Sequence, residues 1–462
     1  MTLESLLEFD ETLAMAMDTD TCEIDEALRS ALLSDDDFWP AEPKSLRETG
    51  LSSSYIEALV CKHLATAGTS SGRATAEALC LPFSILGELF DSLRTRQIIV
   101  HAGAAPFNDY YYALTDHGRS RAAAYLQECA YVGPAPVPLM NYVISVDAQA
   151  ITFVAPKYEQ LAEAFRDISV EPKMFASLGP AVNSGAGMFL YGAPGNGKST
   201  LARRLTVCFG QKIWVPHAIL ESGQLIKFYD EGFHQMVDAG NGSLLRSQDH
   251  DCRWVQIWRP TVVVGGELTM DDLEIHYNPQ SSVSEAPLQM KSNCGCLLLD
   301  DFGRQRIAPN ELLNRWIVPL ELRHDYLTLA NGKKIQVPFE QLIIFSTNLE
   351  PEDLVDEAFL RRIPYKIEVG DPGAEEFHFL FKLYCESFGC EYRKDVVNYL
   401  IETHYRPRNR AMRRCHPRDL LTQIRNYCRY HDLDIEILPE YFDQVVESYF
   451  AMVLKEKAKR ER

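Results

Sequence analysis

Long apolar stretches are missing from this chain of 462 residues: no uninterrupted run approaches the ~18 residues that a bilayer-spanning helix requires. Its start mixes leucines with acids where a secretory signal would place a basic region and then an apolar one, so neither a membrane span nor an export signal is expected. Paired C-x-x-C motifs are missing too, which argues against a zinc ribbon and against a disulfide-stapled secreted domain. The twelve cysteines are instead expected as reduced thiols in a cytoplasmic protein. Cys294 and Cys296 form a lone C-x-C at the start of an apolar strand, where alternate residues share a face, and are read as packing residues. There is no internal repeat. Basic charge is scarce: the net charge is −19, and the first fifty residues, with fourteen acids against three bases, supply −11 of it. A general nucleic-acid binder usually carries a basic domain or stripe, and this balance argues against one.

What is present is ample core. The apolar fraction is 46%, and the length calls for two or three domains. Residues 1–49 read as an acidic disordered arm in which Leu3, Leu6, Leu7 and Leu13 can line one face of a short docking helix. Residues 50–130 carry three short helical patterns followed by two strands, Gln97-Ile98-Ile99-Val100 and Tyr110-Tyr111-Tyr112-Ala113-Leu114, a layout that resembles a winged helix. The third helix offers Glu88 and Asp91 beside only Arg94 and Arg96. A recognition helix should present cations to phosphates, so a protein-binding or structural role is favoured over DNA reading. Residues 131–150 read as a linker, because Pro134, Pro136 and Pro138 force extended backbone.

The apolar run Met188-Phe189-Leu190-Tyr191 leads into Gly192-Ala193-Pro194-Gly195-Asn196-Gly197-Lys198-Ser199, followed by the helix-forming Thr200-Leu201-Ala202. This fits G-x-x-x-x-G-K-[ST]. Glycines let backbone N–H groups close around phosphate, the lysine reaches the β/γ oxygens, the serine hydroxyl suits Mg²⁺, and the helix offers its positive end. A nucleoside triphosphate is the implied ligand. Farther on, Leu297-Leu298-Leu299-Asp300-Asp301 is an apolar strand ending in two carboxylates, one suited to Mg²⁺ and the other to orienting and deprotonating water. Leu342-Ile343-Ile344-Phe345-Ser346-Thr347-Asn348 is a second buried strand, and an Asn at its tip can hydrogen-bond both a lytic water and the γ-phosphate.

Together these motifs resemble the AAA+ ATPase family over roughly residues 150 to 455. The resemblance implies an α/β fold: a P-loop module with a parallel sheet flanked by helices (151–370), then an α-helical lid and C-terminal tail (371–462), preceded by the small winged-helix-like α+β domain. It makes residues 192–199 Walker A, with Thr200 beside it, Asp300 and Asp301 Walker B, and Asn348 sensor 1. Arg362 or Arg361, in Asp356-Glu357-Ala358-Phe359-Leu360-Arg361-Arg362, matches the arginine finger offered to a neighbouring subunit, and Arg418 matches the sensor 2 arginine of the lid. The implied cofactors are ATP and Mg²⁺, and the implied assembly is a homo-oligomeric ring, a hexamer.

Two departures stand out. Asp301 occupies a position where the family usually has Glu, one methylene longer, so slow hydrolysis is expected. About ninety residues separate Walker A from Walker B, and within them Arg259 to Leu268 reads as strand and turn, suggesting an added hairpin. Another hairpin, Tyr326 to Val337 about Asn331-Gly332, resembles the one that marks a branch including bacterial MoxR-type chaperones, where it projects toward the ring pore. On the helix before it, Arg315 reads either as a second interface arginine or as part of a solvated face. The arrangement is similar to bacterial ATPases with a chaperone role linked to pilus assembly. The expectation is an ATP-hydrolysing remodeller of a protein partner. A DNA-directed loader, or an ATP-dependent scaffold with little hydrolysis, remain the alternatives.

Overall fold

The computed structural model describes residues 33–34, 37–151, 156–166, 170–210, 212–237, 250–355 and 357–460. Most of the acidic arm, with its leucine face, lies outside these residues. Its end is anchored: Phe38 is 5% exposed and packs on Trp254 with ring centroids 5.1 Å apart, while Trp39 meets Trp214 edge-on at 5.5 Å. Two aromatics in an acidic stretch supply the apolar surface that anchors it.

Helices Ser53–Ala67, Gly72–Leu79 and Phe83–Thr95 precede the hairpin Ile99–Ala105 and Asp109–Leu114, and the helix Asp116–Glu128 closes the unit. The side chains of Ser52, Ser71 and Thr115 cap three of these helices by accepting from Tyr55, Ala74 and Gly118 N–H groups. A short strand, Thr69–Ser71, pairs with Asp109–Leu114 and completes a small α+β unit. The arginines beside the third helix are spoken for: Arg94 pairs with Asp91, and Arg96 joins Arg121 on the buried Glu57.

The expected linker is extended only as far as Pro138. Leu139–Ala148 is a helix that buries Tyr142, Ile144 and Val146 in a core the sequence did not suggest. That core is built from the long stretch between the phosphate loop and the paired aspartates. Lys212–Pro216 pairs antiparallel with Trp254–Trp258, and a second sheet runs through Val137–Pro138, Ala218–Glu221, Gln224–Lys227, Val283–Glu285 and His276–Asn278. The addition is therefore a β-rich unit, not one hairpin. The hairpin His324–Thr328 and Lys334–Pro338 forms in the expected place, but it packs into the same core through Leu327, Leu329, Ile335 and Val337. Lys333 ties its tip to Glu221 at 2.8 Å, so the hairpin is held down and does not project.

Arg253, 2% exposed, binds this unit to what precedes it. Its guanidinium pairs with Asp251 at 2.7 Å and donates to the carbonyls of Thr49 at 2.8 Å and Pro136 at 3.3 Å.

Five parallel strands form the α/β core: β1 (Met188–Tyr191), β2 (Thr261–Val264), β3 (Cys296–Leu299), β4 (Leu342–Thr347) and β5 (Tyr365–Glu368), in the order β2-β3-β4-β1-β5. The expected strand and turn of Arg259 to Leu268 thus supply an edge strand of the main sheet. Period-two alternation assigns the faces. Met188, Leu190, Leu298 and Ile344 point to one core, and Phe189, Leu297, Leu299, Ile343 and Phe345 to the other. Cys296 is buried in the first of these, a packing residue as expected, and Cys294 is buried in the β-rich core. All eleven described cysteines are unbonded. Helix α1 (Lys198–Val207) covers the first face; Leu312, Leu313, Trp316 and Phe359, the last on α2 (Glu357–Arg362), cover the second. After Gly370 come four principal helices, including α3 (Ala374–Phe388) and α4 (His416–Tyr430), around a separate core that contains Phe377, Phe381, Leu420 and Phe442. No described helix is long and apolar enough to cross a membrane.

Candidate functional site

The phosphate loop follows β1 and bends back into α1. Gly192 has φ +130° and a Cβ there would sit 2.6 Å from the Val369 carbonyl; Gly195 has φ +84° and a Cβ there would meet the Cys415 sulfur at 2.5 Å. Only glycine meets both demands, so the loop can pass between β5 and the lid. Because β4 lies between β1 and β3, the loop, the Asp300 turn and the Asn348 turn all emerge at the same edge of the sheet. The sheet order is what gathers the site.

Lys198 is 6% exposed, and its ammonium donates to the carbonyls of Gly192 at 2.9 Å and Ala193 at 3.1 Å and to Asn348 Oδ1 at 2.6 Å. Burial lowers its pKa from the ordinary lysine value, while the nearby charges of Asp301 and Asp300 pull it back up. The Ser199 hydroxyl donates to Asp300 Oδ2 at 2.7 Å, and the Ser346 hydroxyl donates to Asp300 Oδ1 at 2.8 Å. The Ser199 hydroxyl at the start of α1 and the Asp300 carboxylate at the tip of β3 are hard oxygens of the kind that Mg²⁺ takes, and the residues fit the ion. Asn348 Nδ2 donates to Asp301 Oδ1 at 3.0 Å, so one side chain spans the loop lysine and the second carboxylate.

A cavity of about 530 Å³ opens here, lined by Pro194 through Thr200, Asp300, Asp301, Asn348 and Arg418. Arg418 lies on α4 with its guanidinium 60% exposed and paired to Asp419 at 3.0 Å. Gly192 and Ala193 stand behind the lysine. Arg361 and Arg362 are elsewhere on α2: Arg361 pairs with Glu357 at 3.2 Å and Arg362 with Glu321 at 2.6 Å. Neither lines the cavity. Arg315 fits neither of its readings, since it is gripped by buried Asp325 at 2.7 Å and by Glu274 at 3.0 Å.

Several contributors carry no sequence signal of their own. Leu380, Leu383 and Tyr384 of α3 line the cavity from the lid, as does Arg304 from the turn after Asp301. Lid and loop are also tied directly. Asn196 donates to Asp371 Oδ1 at 2.7 Å, Arg413 pairs with the same carboxylate, and the Cys415 N–H donates to the Gly195 carbonyl at 2.9 Å. Arg414 is held by Glu376 at 2.9 Å and by the Gly370 carbonyl at 2.7 Å. Arg413 and Arg414 thus clasp the lid to the end of the sheet.

Residues 373–448, most of the lid, match a family described as a domain of unknown function (DUF8689). No curated protein matches the chain. Among solved structures, NtrX from Brucella abortus is similar at 14% identity and a TM-score of 0.37 over 61% of this chain and 57% of that one. NtrX in complex with ADP matches at 15% identity and 0.36, over 61% of this chain and 56% of that one. The chain thus spans a little over half of the NtrX chains it matches. The RuvB Holliday junction branch migration motor of Thermotoga maritima is similar at 14% identity and a TM-score of 0.33, over 66% of this chain and 72% of that one.

Proposed function

We propose that this chain binds ATP with Mg²⁺ in the cavity beside the phosphate loop and hydrolyses it. The observation that carries the reading is the convergence of Lys198, Ser199, Asp300, Asp301 and Asn348 on one cleft at the sheet edge. Loop N–H groups and the start of α1 would receive the phosphates, and Lys198 would exchange its carbonyl contacts for β/γ oxygens. Ser199 and Asp300 would hold Mg²⁺, which when bound neutralises phosphate charge. Asp301 would take the proton of the attacking water, with Asn348 fixing that water's place. The test is Mg²⁺-dependent phosphate release by the full chain, compared with Lys198→Ala.

The wider reading is a homo-oligomeric ring, a hexamer, in which Arg362 or Arg361 completes the neighbour's site and Arg418 senses the γ-phosphate. Such a ring would act on a protein partner in the cytoplasm. Pairing of the Arg96 guanidinium with the buried Glu57 favours a protein over DNA as the ligand of the N-terminal unit. Capture of the client by an Asp301→Asn trap is the experiment that addresses this part.

A further inference from the structure

Arg304 sits three residues beyond Asp301 on the turn that leaves β3. It lines the cavity beside Asp300, Asp301 and Asn348. The turn is rigidly built. Phe302, 2% exposed, anchors it, donating from its N–H to the Ser346 carbonyl at 2.7 Å and accepting the Thr347 hydroxyl at 2.9 Å. Gly303 has φ +99°, and its missing side chain makes room for Leu354, whose Cδ2 lies 2.6 Å from where a Cβ would be. Gln305 closes the turn from below, donating to the Asp300 carbonyl at 2.9 Å and accepting the Gly303 N–H at 2.8 Å. The Arg304 N–H itself donates to the Asp301 carbonyl at 3.0 Å.

Three arginines line the cavity, and two are already paired, Arg414 with Glu376 and Arg418 with Asp419. Among the described residues, the Arg304 guanidinium makes no hydrogen bond or ion pair. Asp301, its nearest acid in sequence, instead accepts from Asn348 at 3.0 Å. A braced turn that holds an uncommitted guanidinium on the wall of the cavity is the arrangement that electrostatic stabilisation of a developing charge requires.

We infer that Arg304 is a catalytic residue supplied in cis, whose guanidinium contacts the γ-phosphate of ATP bound in its own chain's cavity. The inference rests on the ATP reading above, and it adds a cation that does not wait for a neighbouring subunit. It also gives the site a means of telling triphosphate from diphosphate, because only ATP offers the group that Arg304 would meet.

The experiment uses the full chain with Arg304→Ala, Arg304→Lys and, as control, Arg306→Ala on the same turn but outside the cavity lining. Affinities for ADP and for the β,γ-imido analogue of ATP are measured beside kcat and KM. For Arg304→Ala the expected result is ADP affinity within about twofold of wild type, analogue affinity about tenfold weaker, and kcat about 100-fold lower, with partial recovery in Arg304→Lys and none of these losses in Arg306→Ala. Equal loss of ADP and analogue binding, or a kcat and analogue affinity matching wild type, would overturn the inference while leaving the ATP reading standing. Absence of Lys198-dependent nucleotide binding in the wild type would bring down the ATP reading, and this inference with it.

Discussion

Lys198 and Asn348, 150 positions apart, meet at 2.6 Å across the mouth of the phosphate loop. The Asn348 carbonyl oxygen and the carbonyls of Gly192 and Ala193 surround the ammonium. The ammonium is thereby kept satisfied in a site whose burial disfavours its charge.

Lys198→Ala should weaken ATP affinity by at least about 100-fold, as expected when a charge-assisted contact to a phosphate is lost from a partly buried site. Titration with a fluorescent ATP analogue measures it. Unchanged affinity would remove the loop from the nucleotide site.

Asp301→Asn should keep ATP affinity within a few-fold and lower kcat by about 10²-fold or more, since the amide still meets Asn348 but cannot take a proton. Single-turnover phosphate release is the readout. Equal, negligible rates in wild type and variant would favour a scaffold that binds without turning over.

Gly195→Ala meets two penalties, a left-handed backbone worth about 1–2 kcal/mol and a contact with the Cys415 sulfur. Weaker nucleotide binding and faster proteolysis near Asp371 are expected. Gly195→Ala with Cys415→Ala should recover part of the loss, because the nearest remaining Cys415 atom is 3.6 Å away. No recovery would show that the lid contact is irrelevant to binding.

Arg362→Ala should leave nucleotide affinity intact and reduce hydrolysis only at concentrations where the wild type assembles. Its guanidinium is 26% exposed and paired with Glu321 in the single chain, so Glu321→Gln should not impair turnover. A wild-type rate that is independent of protein concentration would count against a finger supplied in trans.

Burial pushes His416 down to about 4, helped by Arg413 and Arg410 and opposed by Asp419. Its Nδ1 accepts from the Tyr405 hydroxyl at 2.9 Å and the Arg413 N–H at 3.2 Å, contacts that need the neutral ring. The folded pKa is depressed, so the unfolded chain binds the proton first. Stability should therefore fall as pH drops from about 6.5 toward 4, by on the order of 2 kcal/mol from this group. Thermal melts of wild type and His416→Gln across that window should converge toward low pH. A constant gap would contradict the assignment.

The phosphate loop and the strand tips were legible because their signals are local: an apolar run, then a turn whose residue types are dictated by backbone and charge. The lid was legible in outline from its helical pattern. The β-rich unit was not, because strands of two to five residues pair across long separations, as Val137 does with Ile219 and Ile226 with Ser284. Arg315 shows the same limit at a single residue. Its partners Glu274 and Asp325 belong to distant or differently classified segments, and nothing in its own neighbourhood distinguishes an internal ion pair from a solvated face. Arg304 stands beside the Asp300-Asp301 motif without a signal of its own, since an arginine in a turn has no pattern until the cavity around it is known.

Arg253 has a mechanical consequence. By gripping main-chain oxygens on either side of the unit of residues 53–128, at Thr49 and Pro136, it turns a proline-rich passage into a stiff joint. A tug on the unit of residues 53–128 would be delivered as torque to the sheet neighbouring the α/β core, not dissipated in slack chain. Severing the joint, as in Arg253→Met, would leave Asp251 buried and unmatched and would uncouple the two halves in the same stroke.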